Sequence, residues 1–168
     1  AGCGHAVEGS ADASRASIHW LQEQLGILQD PSQAAEMAAA VPDTDGVYFV
    51  PAFTGLGSPY LDSQARGTIC GITPHTRAEH LVRAALEAMA FQTRDCLLAM
   101  EQAARQRLSC LRADGGGADN DFLLQFQADI LSTSVERPAM KETTGMGAAF
   151  LAGLAVGFWS ELNELTSR

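Results

Sequence analysis

Apolar residues recur every three or four positions in three stretches of the chain, and this is the spacing of an amphipathic helix. The first stretch covers residues 13–28 and includes Ile18 and Leu21. The second covers residues 31–41, where Pro31 suits a first helical turn and alanines follow. The third covers residues 77–106 and is rich in helix-favouring residue types. We therefore predict three helices before residue 107.

Short apolar runs predict the strands. Residues 47–50 (VYFV) are nearly all apolar and β-favouring, which predicts a strand buried on both faces. Further strands are predicted at residues 5–9, 68–70, 108–113 and 134–137. Between the strand at residues 47–50 and the helix at residues 77–106, prolines and glycines interrupt every regular pattern over residues 51–76. This predicts a long loop that is functional or packed on itself.

The last third of the chain is predicted to alternate between strands and helices. A helix follows the glycines over residues 119–131, another is capped by Thr143 or Thr144, and a short one covers residues 161–166. Residues 145–159 are weakly polar and rich in small residues, but the run is shorter than the roughly 18 residues of a membrane span. We therefore predict a tightly packed, buried helix there. The alternation favours an α/β layer with a mostly parallel core.

A turn of three glycines stands between a predicted strand and a predicted helix. Gly115, Gly116 and Gly117 permit backbone conformations closed to other residues and leave no Cβ in the way of a ligand. Asp119 and Asn120 are good N-cap residues for the helix that follows. Because ligands of parallel sheets bind at the carboxyl ends of strands, a nucleotide could lie here against bare backbone. A tight connection without a ligand is equally compatible with the glycines alone.

Composition narrows the classes of function. The 168 residues suit one domain with its own core, and 46% hydrophobic against 18% charged residues indicates a folded protein. Acidic residues outnumber basic ones by 20 to 11, giving a net charge near −9. This balance argues against a nucleic-acid or anionic-membrane partner. An anionic ligand would have to be held by local backbone N–H groups and a few cations.

The residues usually responsible for catalysis show no recognisable arrangement. The cysteines (Cys3, Cys70, Cys96 and Cys110) form no C-x-x-C pair, which predicts free thiols in a reducing compartment, most of them in the core. The histidines (His5, His19, His75 and His80) show no metal spacing, so no metal site is predicted. Asp62 and Asp114 are candidate carboxylates without a nucleophile or base beside them, and we assign no role to Glu87. The chain starts without Met, so we expect it to be a piece of a longer protein.

Several sequence segments, spread across almost the whole chain, are similar to those of one known family. They are residues 46–60 (GVYFVPAFTGLGSPY), 62–67 (DSQARG), 71–73 (GIT), 79–87 (EHLVRAALE), 90–95 (AFQTRD), 114–116 (DGG) with Asn120, 124–131 (LQFQADIL) and 151–159 (LAGLAVGFW). Together these segments resemble the FGGY carbohydrate kinase family. The segment FTGLGSP resembles its glycerol kinases more than its xylulokinases or gluconokinases.

The resemblance implies an α/β fold of the actin-like ATPase (ribonuclease H-like) type, with a mixed sheet flanked by helices. It also implies that residues 1–168 are the C-terminal, nucleotide-binding domain of a two-domain kinase. Such an enzyme transfers the γ-phosphoryl group of Mg-ATP to glycerol. Its N-terminal domain, absent here, carries the glycerol pocket, the catalytic base and most of the Mg²⁺ ligands. This chain alone is therefore expected to be inactive and to contain no catalytic residue.

The resemblance also implies particular nucleotide contacts. Gly116 and Asn120 match the family's adenosine contacts, and Gly115 and Gly117 line the same turn. Arg15 and His19 stand where the family usually has a Gly and a Gln or Asn, so Arg15 either reaches a phosphate or narrows the site.

The expected ligands are ATP or ADP with Mg²⁺, and glycerol through the N-terminal domain. We expect no nucleic acid, no integral membrane segment and a cytoplasmic location, and a homo-oligomer remains open for the full-length protein. The alternatives are a kinase for another polyol or sugar and a non-catalytic nucleotide-binding member.

Overall fold

The computed structural model of the chain describes residues 14–139, 143–161 and 163–166. The predicted strand at residues 5–9, with Cys3 and His5, lies outside these residues. In chain order, the elements are α1 (Ser14–Glu23), a 3₁₀ turn (Pro31–Gln33), α2 (Ala34–Ala39), β1 (Tyr48–Val50), β2 (Thr68–Cys70), α3 (Ala78–Ala104), β3 (Cys110–Arg112), a second 3₁₀ turn (Gly116–Asp119), α4 (Asp121–Leu131), β4 (Ser134–Glu136), α5 (Thr143–Ala155) and α6 (Asn163–Thr166).

Helix α3 is the centre around which the other elements pack. It contacts α1, α2, α4 and β1. Its apolar stripe, with Val82, Leu86 and Met89, is buried in the core. Fully buried alanines on α2, such as Ala38, bring that helix close to α3 because they carry so little volume. The long helix predicted at residues 77–106 is confirmed, with ends within two residues of the prediction.

The described strands form two separate pairs. β1 and β2 are antiparallel, with Phe49 opposite Ile69. β3 and β4 are parallel, with Leu111 opposite Val135. The predicted mostly parallel core is therefore only half right for the described residues. β3 and β4 are parallel because a helix, α4, connects them in the manner of a βαβ unit.

The prediction that the first apolar strand is buried on both faces is wrong. Phe49 is 6% exposed, whereas Tyr48 is 63% and Val50 38% exposed. Successive side chains of a strand point to opposite faces. The face with Phe49 meets other aromatic rings, with Trp20 at 6.2 Å and Phe53 at 6.2 Å between centroids.

Local signals fix the ends of the first two helices. α1 ends at Glu23, earlier than predicted, because Gly26 takes a left-handed φ of 62° and turns the chain. At the next 3₁₀ turn, the Asp30 carboxylate accepts from the Ser32 amide at 2.8 Å. The Gln33 side chain accepts in return from the Asp30 amide at 3.2 Å, which completes a capping box. Hydrogen bonds from Ser32, first from its side chain and then from its amide, lower the pKa of the Asp30 carboxyl.

Glu87 is half of a partly buried ion pair inside this framework. The Arg83 Nε atom lies 2.8 Å from Glu87 Oε1. Arg83 Nη1 also donates to the carbonyl of Val41 at 2.6 Å, and its guanidinium lies 5.1 Å above the Phe122 ring. One arginine thus joins α3 to the end of α2 and to α4, and Glu87 holds that arginine in place.

Helix α5 is much more exposed than predicted. Leu151 is 67% exposed and the following Val156 is 82% exposed, so the prediction of a buried helix is wrong for this chain. The predicted tight packing holds at Gly153, where a Cβ would lie 2.2 Å from the Trp159 ring. α5 therefore packs mainly on its own C-terminal tail. No described helix is both long and apolar enough to cross a membrane.

The cysteines are also less buried than predicted. Cys96 is buried, Cys110 is intermediate and Cys70 is exposed, and all three are free thiols. The expectation that most lie in the core is wrong for these three. Cys70 is exposed because it lies on the outward face of β2, beside Tyr48.

Candidate functional site

A cleft of about 700 Å³ opens beside the glycine turn. One wall is the middle of α1, at Ile18 and His19, and another is the 3₁₀ turn that precedes α2. The third wall is the chain from β3 through the glycine turn to the start of α4. Apolar side chains of α3 and α4, Leu86, Met89 and Leu123, line the cleft as well. The cleft has the volume typical of a site for a small organic ligand.

The glycine turn begins where the parallel strand pair ends. The Ala113 amide donates to the Glu136 carbonyl at 2.9 Å and extends the ladder by one residue. The Asp114 carboxylate then accepts from the Gly115 amide at 2.7 Å. Gly115 has φ 81° and ψ −174°, a backbone conformation that is essentially restricted to glycine. The turn at the carboxyl end of β3 therefore requires glycine at this position.

Gly116 and Gly117 have a different reason to be glycine. A Cβ built on Gly116 meets no described atom within 4 Å, and one on Gly117 touches only Leu123 at 3.9 Å. Both residues line the cleft. The packing of the described chain therefore leaves space for side chains here, and their absence exposes bare backbone to the cleft.

Asn120 sits between the turn and α4. Its side-chain oxygen accepts from the Leu123 amide at 2.9 Å, so Asn120 is the N-cap of α4. Its own amide donates to the Gly117 carbonyl at 3.2 Å. No described residue accepts a hydrogen bond from its side-chain NH₂ group. Since Asn120 lines the cleft, this group is a donor available to a ligand.

His19, on α1 and far from the glycine turn in sequence, also lines the cleft. Its side chain is 39% exposed, and its Nδ1 atom lies 4.0 Å from Glu23 Oε1. The structure therefore brings together His19, Gly116, Gly117 and Asn120 around the cleft, whereas Gly115 is not among the lining residues. Arg15 belongs to α1, but its side chain lies outside the described residues.

Several lining residues were not anticipated from the sequence. Ser32 comes from the 3₁₀ turn before α2, and Thr93 comes from α3. Gln127 is only 5% exposed and donates to the Ala90 carbonyl at 3.3 Å. Its signal was present in the sequence, because Gln127 follows Leu123 by four residues and so places a polar group on the apolar stripe of α4.

The charges at the turn are mainly negative. Asp114 and Asp119 both line the cleft, and the nearest lining cation on the same stretch is Arg112. Arg112 lies 3.3 Å from Glu136, and both side chains are well exposed to solvent. No group of three or more potential metal ligands exists among the described residues.

A second cavity of about 230 Å³ lies beneath the long loop, lined by residues such as Phe53, Gly55 and Gln92. It is smaller than most ligand sites. The candidate Asp62 belongs to this loop, where its carboxylate accepts from the amides of Gln64 at 2.8 Å and Ala65 at 3.2 Å. Asp62 therefore closes a turn, and we retain the larger cleft as the candidate site.

The structure is an α/β domain with a cleft at the carboxyl end of a parallel strand. The sequence pattern of the FGGY family of carbohydrate kinases, C-terminal domain, matches residues 4–156. The chain belongs to this family. It is 53% identical to glycerol kinase 2 of Pseudomonas aeruginosa, covering 98% of this chain and 33% of that protein. It is 54% identical to the glycerol kinase of Alkaliphilus oremlandii, covering 98% of this chain and 32% of that protein.

Solved structures agree on the fold. The chain superimposes on the Plasmodium falciparum glycerol kinase with ADP at a TM-score of 0.82 and 38% identity, covering 94% of this chain and 31% of that one. A xylulose kinase from Lactobacillus acidophilus gives a TM-score of 0.76 at 23% identity, covering 95% of this chain and 32% of that one, which shows the fold alone. The expected actin-like ATPase fold is confirmed. The chain spans about a third of the length of these relatives.

Proposed function

We propose that this chain is the C-terminal, nucleotide-binding domain of a two-domain glycerol kinase. In this proposal the full-length protein transfers the γ-phosphoryl group of ATP to glycerol, and this chain holds the adenosine part of ATP. The observation that carries the proposal is the bare backbone of Gly116 at a 700 Å³ cleft, which the described packing does not require. The identity to glycerol kinases over nearly the whole chain supports the choice of acceptor.

The residues present fit an adenosine better than a triphosphate. Leu86, Met89 and Leu123 give the cleft an apolar surface against which a base can lie. The side-chain NH₂ of Asn120 would donate to an acceptor on the base or the ribose. In this proposal the phosphates point away from the turn and towards the other domain. His19 would meet the nucleotide from α1.

Mg²⁺ belongs to the proposal as a companion of the phosphates. Phosphate-bound Mg²⁺ usually keeps several waters and takes only one or two carboxylates from the protein. In this proposal, as the family resemblance implies, its protein ligands lie mainly in the N-terminal domain. ATP supplies the phosphoryl group, while this chain binds and orients the nucleotide. Catalysis of phosphoryl transfer rests largely on such positioning and on electrostatic stabilisation.

The proposal is tested by measuring ADP release from ATP by the purified full-length protein. We expect release to depend on glycerol and to stay at background with xylulose or gluconate. The isolated 168-residue chain is expected to give no turnover, because the acceptor pocket and the base lie elsewhere. Turnover by the pure chain would contradict this division of labour.

Turnover and calorimetry together separate the alternatives. Turnover with another polyol or sugar, but not glycerol, would identify a kinase of different specificity within the family. ATP binding by calorimetry without any turnover would identify a non-catalytic nucleotide-binding member. His19 and Arg15 motivate that second alternative, because they replace smaller or neutral residues that the resemblance leads one to expect.

A further inference from the structure

Arg137, just after β4, reaches across to the glycine turn. Its Nη1 atom donates to the carbonyl oxygen of Ala118 at 2.9 Å and lies 2.9 Å from Asp121 Oδ1. Ala118 belongs to the 3₁₀ turn, and Asp121 is the first residue of α4. One nitrogen atom therefore ties the turn to the helix, and Asn120 lies between its two partners.

The tie adds to the turn's own backbone hydrogen bonds, which run from the Ala118 amide to the Gly115 carbonyl at 2.9 Å and from the Asn120 amide to the Gly117 carbonyl at 3.2 Å. A 3₁₀ turn has poorer hydrogen-bond geometry than an α-helix, and consecutive glycines lose much conformational entropy when they are ordered. The glycines carry no side chains to pack, and all three are exposed. Ala118 is the buried residue of this turn, at 6% exposure. Holding its carbonyl fixes the backbone that follows the glycines.

The two contacts of Arg137 are unequal. The Asp121 side chain is 85% exposed, and an ion pair so open to solvent contributes little. The hydrogen bond to the Ala118 carbonyl is partly buried and charge-assisted, so it is the stronger constraint. Arg137 does not itself line the cleft among the described residues. Its two described contacts connect it to the cleft through the turn and the start of α4.

We propose that Arg137 is a positioning residue for nucleotide binding. By holding Ala118 and the start of α4, it keeps the backbone of Gly116 and Gly117 and the side chain of Asn120 in the arrangement that receives the nucleotide. This inference rests on the proposed function for its ligand, but its mechanical part, the ordering of the turn, stands on the contacts alone.

The test uses the full-length protein and three variants. Arg137→Met keeps the length of the side chain and removes every donor, while Arg137→Lys keeps one nitrogen with several hydrogens. Arg107→Met is the matched control, because Arg107 is exposed and does not line the cleft. The measurements are KM for ATP, KM for glycerol, the melting temperature and amide hydrogen exchange of residues 115–123 without nucleotide.

We expect Arg137→Met to raise KM for ATP about tenfold, the effect of losing one charge-assisted hydrogen bond. KM for glycerol should stay unchanged, and exchange should become faster at residues 115–123. Arg137→Lys should recover most of both effects, and Arg107→Met should match the wild type. The positioning role is overturned if Arg137→Met leaves KM for ATP and exchange at the turn unchanged. It is equally overturned if both KM values change together with a lower melting temperature.

Failure of the proposed function gives a different result. If the wild-type protein neither binds nor uses ATP, yet Arg137→Met still accelerates exchange at residues 115–123, the ordering of the turn is supported and the glycerol kinase assignment is not.

Discussion

Two regions of this chain are rich in glycine, and the structure uses the residue differently in each. In the long loop, Gly71 has φ +83°, and a Cβ there would lie 2.0 Å from the Gly46 carbonyl oxygen. Gly55 is similar, with φ +105° and a Cβ 2.7 Å from the Asp62 carbonyl oxygen. At Gly116, by contrast, no described atom lies within 4 Å of the Cβ position. The loop needs glycine for its own packing, whereas the turn leaves its space for something else.

The polar groups of the two regions differ in the same way. The loop satisfies its own: Leu56 and Asp62 exchange backbone hydrogen bonds at 2.7 and 3.0 Å, and the Tyr60 hydroxyl donates to Asp95 at 2.8 Å. The turn leaves the NH₂ group of Asn120 without an acceptor among the described residues. A glycine or a donor that packing does not explain is therefore the better guide to a ligand site.

The largest effect is expected from Gly71→Ala. The added methyl group would overlap the Gly46 carbonyl in a left-handed conformation, so we expect a loss of about 3 kcal/mol or more in the free energy of unfolding. Gly26→Ala is the matched control, since Gly26 has φ +62° but no atom of the described chain within 4 Å of its Cβ position. It should cost only about 1 kcal/mol. Equal losses in urea unfolding would show that the overlap is relieved and that the comparison is wrong.

An intermediate effect is expected at Asn120, where packing and ligand binding meet. Asn120→Ala removes the N-cap of α4 and should cost about 1 kcal/mol of unfolding free energy. It should also raise KM for ATP more than KM for glycerol. Asn120→Asp keeps the capping oxygen and loses the NH₂ donor, so it should retain stability but still raise KM for ATP. A normal KM for ATP in the Asp variant would remove Asn120 from the nucleotide contacts.

The smallest effect is expected at Tyr60, which anchors the loop to α3. The hydrogen bond to the Asp95 carboxylate, and then its negative charge, raise the pKa of Tyr60 above its usual 10.0. Because the pKa of Tyr60 is higher in the folded state, the protonated hydroxyl stabilises the fold at pH values below the usual pKa. This contribution is lost as the pH rises through the pKa of the folded state. Because the site is exposed to solvent, Tyr60→Phe should cost no more than about 0.5 kcal/mol at neutral pH. Unfolding free energies measured from pH 7 to 11 should show this difference disappear above pH 10.

Elements with local signals were predictable from the sequence. Pro31 and the N-cap residue Asn120 mark the starts of their helical segments, and the apolar stripe of α3 is long enough to define that helix. The exposure of β1 and α5 was not predictable. Whether Tyr48 or Leu151 is covered depends on surfaces that lie far away in sequence. An apolar run does not show which surface it packs against.

The candidate site likewise has a part with a local sequence signal and a part that depends on distant packing. The glycine turn was found because a cluster of glycines is itself a local signal. Ser32 and Thr93 were missed, because they face the cleft only through the way in which α2, α3 and α4 pack. Three elements from different parts of the chain must meet before such a wall exists, and no spacing in the sequence encodes that meeting.

The central claim is that Gly116 faces the nucleotide. It is tested most directly by calorimetric titration of ATP into the full-length protein and its Gly116→Ala variant, with melting temperatures measured alongside. Because the Cβ position of Gly116 is open, the variant should melt at the wild-type temperature. The added side chain should nevertheless weaken ATP binding by at least about tenfold, the cost of a clash against the bound ligand. Unchanged ATP affinity in a stably folded variant would contradict the account.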